Sequence, residues 1–515
     1  MLNMSKNLIA AIDVGSHAIR MKIGEINKAG DFRLLEKFRK IAVLGHDTFA
    51  HEKVSFESVD KTCEILKNFR MTMDDYGVKR YVMMATSAIR EASNKDYIMD
   101  QIKLKTGLDI RIIDNSQEQY LTLKALKHKL DHYNTVTAEG AVVIVIGAGS
   151  IQITTFLKGE LKSSQNVKMG ALRIKEILGS LENQTTKYYK VLREYIEANL
   201  EDLDFLKDKD AYKHLIVIGG EIGVIQSLMD DEATEATYSM KKKDFRAISD
   251  EVMSKTTEEI KRDYKIKRER AEIIVPSLML INMFVDKTTA EEIIIPNISL
   301  ADGIIRYIHE DIYNLHTNDI STQDIISSAT VLAKKFNYDE THCNHVEAHA
   351  LLLFDKLRKI HGMKEERILL RVATILHDIG KFISLDHHNE HSYNLIKSLE
   401  LFGISTLEVE MVANIARYHG IVVPKDRDQN LALLPTKERI IVAKLIGILR
   451  MADALDRSHK QKIKIESVRI KDKELIIKGK SVKNTTLEEW NFAKKSEFFI
   501  EVFGIKPILI ITREL

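Results

Sequence analysis

Four stretches of this 515-residue chain carry side chains suited to phosphate chemistry or metal binding. The first is Asp13-Val14-Gly15-Ser16, with a guanidinium following at Arg20. Glycine at such a bend lets backbone N–H groups approach a phosphate, serine adds a hydroxyl donor, and the aspartate suits Mg²⁺ or a water. The same pattern alone also describes an ordinary hairpin turn. The second stretch is Thr86-Ser87 with Arg90. It reads either as an anion site at a helix start, within reach of Arg90, or as a plain N-cap beside a solvated arginine. Farther on, Glu118 is either a helix-dipole carboxylate or a catalytic base. The third stretch, Gly147-Ala148-Gly149-Ser150, repeats the glycine turn. The fourth is rich in histidine: His342, the adjacent pair His377-Asp378, then His388, His391 and His419, with Asp453 beyond. Adjacent His and Asp supply a nitrogen and an oxygen ligand to one divalent cation, which suits Mn, Fe, Mg or Zn. The histidines at 388, 391 and 419 fit a second metal or phosphate contacts.

The elements that must position these residues follow from hydrophobic periodicity. Leu8 to Gly24 reads as strand–turn–strand around Gly15, and Val54–Tyr76 has the apolar spacing of an amphipathic helix. Lys79–Ala85 is a strand running into Thr86-Ser87, and Ile110–Ile113 is another leading to the helix with Glu118. Ala141–Ile146, the glycine turn and Ile151–Phe156 repeat the opening hairpin, so the two halves look like duplicated lobes. His214–Ile218 ends in Gly219-Gly220-Glu221, a further glycine turn. From 320 to 460 the pattern is helical, with helices expected over Asn337–Lys356 and Arg367–Leu376. The last 55 or so residues alternate as strands near Lys462–Ile470, Leu475–Lys478, Phe498–Phe503 and Ile508–Ile511. One helix, Leu487–Lys495, is expected there with Trp490 as its anchor. The expected domains are 1–130 and 131–315 as two lobes, 316–460 as a helical domain, and 461–515 as a small α+β tail.

Composition narrows the class. Lys and Arg number 77 against 75 Asp and Glu, a net charge of +2, so no global field points to nucleic acid. Two cysteines, Cys63 and Cys343, cannot build a disulfide framework, and the reducing cytoplasm is the expected home. Asp13 interrupts the one early apolar run, and no apolar span approaches membrane length. A soluble cytoplasmic protein without membrane partners is expected.

The set Asp13-x-Gly15-Ser16-x-x-x-Arg20, Ala85-Thr86-Ser87-Ala88-x-Arg90-x-Ala92-x-Asn94, Gly147-x-Gly149-Ser150 and Gly170-x-x-Arg173 resembles the exopolyphosphatase and guanosine pentaphosphate phosphatase family. Ser299-Leu300-x-Asp302-Gly303 matches the element that closes that family's second lobe. The resemblance implies the α/β duplicated actin-like and sugar-kinase-like fold, with polyphosphate or pppGpp between the lobes. Gly15, Ser16, Arg20, Thr86, Ser87, Arg90, Gly147, Gly149 and Ser150 would then hold phosphate, with Asp13 and Glu118 catalytic beside Mg²⁺. The departures are specific: His17-Ala18 stand where the family usually has Asn-Ser, and only Glu118 of two glutamates is kept. Val145 replaces the aspartate of the second turn, and Gln152 its glutamate. Valine cannot hold metal or position water, and glutamine is a neutral amide, so weakened lobe catalysis is expected.

The histidine-rich region resembles the HD-domain metal phosphohydrolases, and the long members of the first family couple their lobes to an HD-like helical domain. The resemblance maps a histidine, an adjacent His-Asp pair and a distant aspartate onto His342, His377, Asp378 and Asp453, holding a divalent metal such as Mn²⁺, Fe²⁺ or Zn²⁺. It implies an all-α HD domain followed by a small α+β C-terminal domain that serves packing or homodimerisation. Basic residues near this set, including Lys381, Arg417, Lys425, Arg427, Arg450 and Arg457, either draw in a polyanion or are ordinary surface charge. The leading expectation is a phosphohydrolase releasing phosphate from polyphosphate or pppGpp by metal-assisted water attack in the lobes. The alternatives are an HD-site phosphohydrolase acting on a nucleotide, and a polyphosphate- or alarmone-binding regulator.

Overall fold

The computed structural model of the chain describes residues 7–42, 44–181, 188–200, 203, 208–219, 222, 237–313, 315, 320–425 and 427–513. Gly220 and Glu221, part of one expected glycine turn, lie outside the described residues. Two compact units result, 1–315 and 316–515.

The first unit holds two sheets built on one plan. In the first, the strands β1 (Asn7–Val14), β2 (Ala18–Ile26), β3 (Phe32–Ile41), β4 (Arg80–Ala85) and β5 (Arg111–Ile112) lie in the order β3-β2-β1-β4-β5. In the second, β6 (Ala141–Ile146), β7 (Ile151–Leu157), β8 (Glu160–Val167), β9 (His214–Gly219), β10 (Tyr238–Lys241) and β11 (Glu292–Ile295) lie in the order β10-β11-β9-β6-β7-β8. An antiparallel meander beside parallel crossover strands occurs in both: β1–β2–β3 with β4 and β5, and β6–β7–β8 with β9 and β11. The two opening turns even share their closing bond. Gly15 N–H donates to Ala18 O at 3.2 Å, and Gly147 N–H to Ser150 O at 2.9 Å. Buried Ile, Val and Met from alternate strand positions fill the cores, with the first sheet carrying one on each face, as expected where helices cover both.

The helices Asn115–Lys129 and Leu300–Tyr313 cross on the first sheet, packing Leu121, Ala301, Ile304, Ile305 and Ile308 against Ile9 and Ala11. Their contact requires glycine: a Cβ on Gly303 would stand 2.3 Å from the Leu121 carbonyl oxygen. One residue earlier, Asp302 accepts from Ser299 N–H at 2.8 Å and from the Lys22 ammonium at 2.7 and 2.8 Å. That pair ties strand β2 to a helix 280 positions away.

The second unit opens with the helices Ile320–Lys335, Glu340–His361, Arg367–Leu376, His388–Ser398, Thr406–Arg417 and Thr436–Ala454. A sheet of β12 (Lys464–Lys471), β13 (Glu474–Ser481) and β14 (Lys506–Arg513) follows, with the helix Thr486–Phe503 between β13 and β14. Residues 498–503, expected as a strand, are the last turns of that helix. Phe492, Lys495, Ser496 and Phe499 are buried at helical spacing, so the apolar run is one helix face. Trp490, the expected anchor, is 56% exposed; Phe492 and Phe499 do that work instead. Among the described residues no helix is long and apolar enough to cross a membrane.

Candidate functional site

Two constellations stand out, one in each unit. In the first unit, a cleft of about 340 Å³ is walled by Asp13, Gly15, Ser16, Arg20, Thr86, Ser87, Glu118, Gly147 and Ser150 together with apolar Val145 and Ile146. The β1–β2 turn and the start of the short helix Ser87–Arg90 are stitched together. Thr86 N–H donates to Val14 O at 3.2 Å, Ala88 N–H to Ser16 Oγ at 3.1 Å, and the Ser16 and Ser87 hydroxyls lie 2.9 Å apart. One hydroxyl hydrogen serves that last bond, so the other remains to donate to a ligand oxygen.

The second glycine turn closes on the first. A Cβ on Gly149 would meet the Phe49 ring at 2.5 Å and Ser87 Oγ at 2.6 Å, and one on Gly170 would meet the Ala148 carbonyl at 2.3 Å. Only glycine permits these backbones to approach so closely. Arg173 locks the arrangement: its Nε donates to Gly149 O at 2.7 Å, its Nη2 reaches both Glu91 oxygens at 2.8 and 2.9 Å, and its guanidinium lies 4.2 Å from the Phe49 ring centre.

Both carboxylates of the cleft are paired, Asp13 buried and Glu118 half-buried. Register sets Asp13 opposite Arg20 on β1 and β2, and Arg20 Nη1 donates to Asp13 Oδ2 at 3.1 Å. Burial pushes the Asp13 carboxyl up, with Arg20 opposing. Glu118 is pushed up by burial as well, helped by the Asp13 charge and opposed by Arg90. Arg90 does not face the cleft as a free cation: it donates to Ile113 O at 2.6 Å, to Glu118 Oε2 at 3.3 Å and to Asn115 Oδ1. Gly149 likewise stands behind the cleft wall rather than in it. Gln119, beside Glu118, is taken up in packing, donating to Thr154 Oγ1 at 2.7 Å and accepting from Ser164 Oγ at 2.7 Å. Gln152 is buried within β7 and is not part of the wall.

In the second unit, His342, His377, Asp378 and Asp453 converge from three helices and a connecting turn. His342 Nε2 lies 3.4 Å from Asp453 Oδ1 and 3.8 Å from Asp378 Oδ2, and His377 Nε2 lies 3.5 Å from Asp378 Oδ2 and 3.8 Å from Asp453 Oδ1. The other Asp378 oxygen faces His388 Nε2 at 3.5 Å and His419 Nε2 at 3.4 Å. Asp378 thus joins two potential metal sites, His342–His377–Asp378 and Asp378–His388–His419. His391, expected with the second, belongs to neither.

The second ring nitrogen of each histidine is fixed: Nδ1 of His377, His388 and His419 meets the carbonyls of Thr374, Leu385 and Ala416 at 2.8, 3.0 and 2.6 Å, and His342 Nδ1 meets Asp456 Oδ2 at 2.9 Å. A carbonyl accepts only from N–H, so in the first three the Nε2 lone pair faces the centre. His342 Nε2, His377 Nε2 and Asp378 Oδ1 are buried without a hydrogen-bond partner. Unpaired buried polar atoms of this kind are costly, and a divalent cation satisfies all three once His342 gives up its Nε2 proton; the residues fit a metal. Burial drives His377 down to about 3; burial also works against a charged His342, but Asp453 and Asp456 outweigh it and lift His342 to about 9.

Two lysines neutralise the carboxylates from outside. Lys381 Nζ is 2.5 Å from Asp378 Oδ2, and Lys495, buried on the Thr486–Phe503 helix, donates to Asp453 Oδ2 and to His419 O at 2.8 Å. Arg450 is 2% exposed and donates to the carbonyls of Tyr418 at 2.9 Å, Gly420 and Val422 at 3.0 Å. It fixes the loop that presents His419, so it is no surface contact for a polyanion. Asp456 and Lys495 escaped the sequence reading. Asp456 was signalled by its spacing, three residues after Asp453 in the turn that follows the helix Thr436–Ala454; nothing local marked Lys495.

Comparison with known proteins covers both units. The Ppx/GppA phosphatase family model matches residues 24–310, and the model for domain III of Ppx/GppA phosphatases matches 326–496. A guanosine-5'-triphosphate,3'-diphosphate pyrophosphatase of Photobacterium profundum is 21% identical over 463 residues, covering 88% of this chain and 88% of that protein. A bifunctional 3-dehydroquinate synthase/phosphatase of Fusobacterium nucleatum is 25% identical over 209 residues, 39% of this chain and 31% of that protein. Among solved structures, an exopolyphosphatase from Cytophaga hutchinsonii superposes with a TM-score of 0.53 at 20% identity, covering 59% of this chain and 98% of its own. An Aquifex aeolicus family member gives 0.50 at 19% identity, covering 60% and 99%. At such identities the structural likeness establishes the duplicated actin-like fold.

Proposed function

Because the chain belongs to the Ppx/GppA phosphatase family and is a phosphoanhydride hydrolase by that membership, we propose that its substrate is linear polyphosphate or pppGpp and that hydrolysis occurs in the cleft of the first unit. What supports this reading most is that the two glycine turns, the Ser16 and Ser87 hydroxyls, Asp13 and Glu118 all line one cleft. Glu118 serves as the base: burial and the Asp13 charge make it more basic than an ordinary glutamate, while Arg90 holds it in place. It takes a proton from a water that attacks the terminal phosphorus. The anhydride P–O bond breaks, the remaining chain leaves with the electron pair, and orthophosphate is released. Ser16, Ser87 and the glycine turns hold the phosphate oxygens as charge moves onto the leaving oxygen. Asp13 would hold Mg²⁺, whose contribution when bound is neutralisation of the phosphate charge. With Val145 where a second acidic residue would help, the rate falls below that of a site with both. Phosphate release from long-chain polyphosphate, pppGpp and simple nucleotides tests the reading; release from the first or second is expected, and release from nucleotides alone would overturn it.

A second reading rests on one observation, the three buried polar atoms without a hydrogen-bond partner at His342, His377 and Asp378. They support an HD-type divalent-metal centre, with His388 and His419 completing a second site across Asp378. The bound metal would supply an activated water for attack on a phosphoester; His377, His388 and His419 are held in the ligating tautomer by their carbonyls, and Lys381 and Lys495 balance the carboxylate charge.

A further inference from the structure

Lys495 reaches the histidine–aspartate centre from the helix between β13 and β14, outside the helical run that supplies His342, His377, Asp378 and Asp453. The buried rings of Phe492 and Phe499 hold that helix in place on either side of it. Its ammonium group donates to Asp453 Oδ2 and to His419 O at 2.8 Å. Asp453 is thereby divided: Oδ2 belongs to the lysine, while Oδ1 faces His342 Nε2 at 3.4 Å and His377 Nε2 at 3.8 Å. His419, whose backbone the same ammonium holds, turns its ring to Asp378 at 3.4 Å. One cation therefore touches both halves of the centre.

Lys381 pairs with Asp378 in a comparable way but is free to leave. Its side chain is 31% exposed and can swing into water when a metal takes Asp378, whereas that of Lys495 is 3% exposed and has no such exit. A fixed positive charge sharing one carboxylate with a divalent cation repels it, the more so in buried surroundings. The same charge keeps that carboxylate from standing buried and unpaired when no metal is bound.

We infer that Lys495 is a built-in counter-cation of the centre: it keeps Asp453 satisfied without metal and weakens metal binding, so that the centre exchanges its ion rather than holding it permanently. The inference rests on the metal-centre reading above. It also confines Asp453 to ligation through Oδ1 alone, and makes the helix Thr486–Phe503 part of the centre.

The test compares wild type, Lys495→Gln, Lys495→Met and, as control, Lys494→Gln on the exposed side of the same helix. Each protein is stripped with a chelator and titrated with Mn²⁺ by calorimetry, and thermal unfolding is followed with and without the ion. Both Lys495 variants are expected to bind Mn²⁺ about tenfold or more tightly than wild type. Without metal both melt lower, Lys495→Met by about 10 °C, and Mn²⁺ recovers most of that loss. Lys494→Gln changes neither quantity. The glutamine amide still donates to Asp453, so Lys495→Gln decides the matter if Lys495→Met fails to fold. A folded Lys495→Gln protein with affinity equal to or below wild type overturns the inference and leaves the metal-centre reading in place. No binding by wild type or either variant defeats that reading, and the inference falls with it; binding by the Lys495 variants alone supports both.

Discussion

Gly149→Ala probes the joint between the two glycine turns. The new methyl carbon would stand 2.5 Å from the Phe49 ring and 2.6 Å from Ser87 Oγ, where ordinary contact begins at 3.4 Å. Neither neighbour yields freely. Phe49 lies against the Arg173 guanidinium, itself fixed by Glu91, and Ser87 is tied to Ser16. The turns must therefore separate by most of an ångström, displacing the Ser16 and Ser87 hydroxyls that line the cleft. Overpacking of this kind costs about 1–3 kcal/mol of stability, and a misplacement near 1 Å lowers turnover by about 10²-fold. Denaturant unfolding and phosphate-release kinetics measure the two effects separately. Gly179→Ala is the control: its nearest neighbour would be 3.9 Å away, so activity stays at the wild-type level. A folded Gly149→Ala protein with wild-type kcat/KM would refute the claim that the facing turns form the reactive site.

Other outcomes follow from the ionised groups. His342, held at about 9 by Asp453 and Asp456 against burial, is protonated at neutral pH and must lose that proton to ligate a metal. Mn²⁺ affinity, measured by chelator competition, therefore rises about tenfold per pH unit from 6 toward 9 and then levels; affinity independent of pH contradicts the assignment. Asp302→Ala strands the Lys22 ammonium in a site where burial already pushes its pKa down, and is expected to cost about 3–5 kcal/mol. Adding Lys22→Met recovers most of that loss in unfolding experiments; additive losses would show that the pair does not act as one unit.

Much of the cleft was legible in the sequence because its parts are local. A strand ending in Asp13-x-Gly15-Ser16 and a strand ending in Thr86-Ser87 announce their turns within a few residues, and the Gly147–Ser150 turn repeats the first. The histidine cluster was legible by residue type, since the adjacent His377 and Asp378 offer a nitrogen and an oxygen donor side by side. Partners distant in sequence were not legible. Lys22 finds Asp302 across 280 positions, and Lys495 reaches Asp453 from a helix whose pattern reads as ordinary packing. Arg90 and Arg450 show the opposite failure: each reads as a free cation, yet backbone carbonyls claim both. The run Phe498–Phe503 was misread because a short apolar stretch has no period of its own; the buried Phe492 and Lys495 upstream settle it as helix.

The most direct test of the account compares phosphate release from long-chain polyphosphate and pppGpp by wild type, Glu118→Gln and the double variant His377→Ala with Asp378→Ala. The account predicts that Glu118→Gln loses about 10²–10⁴-fold in kcat, while the double variant keeps most of its rate on the same substrates. Loss confined to the double variant would contradict it, leaving the cleft as a binding platform and moving the chemistry to the metal centre.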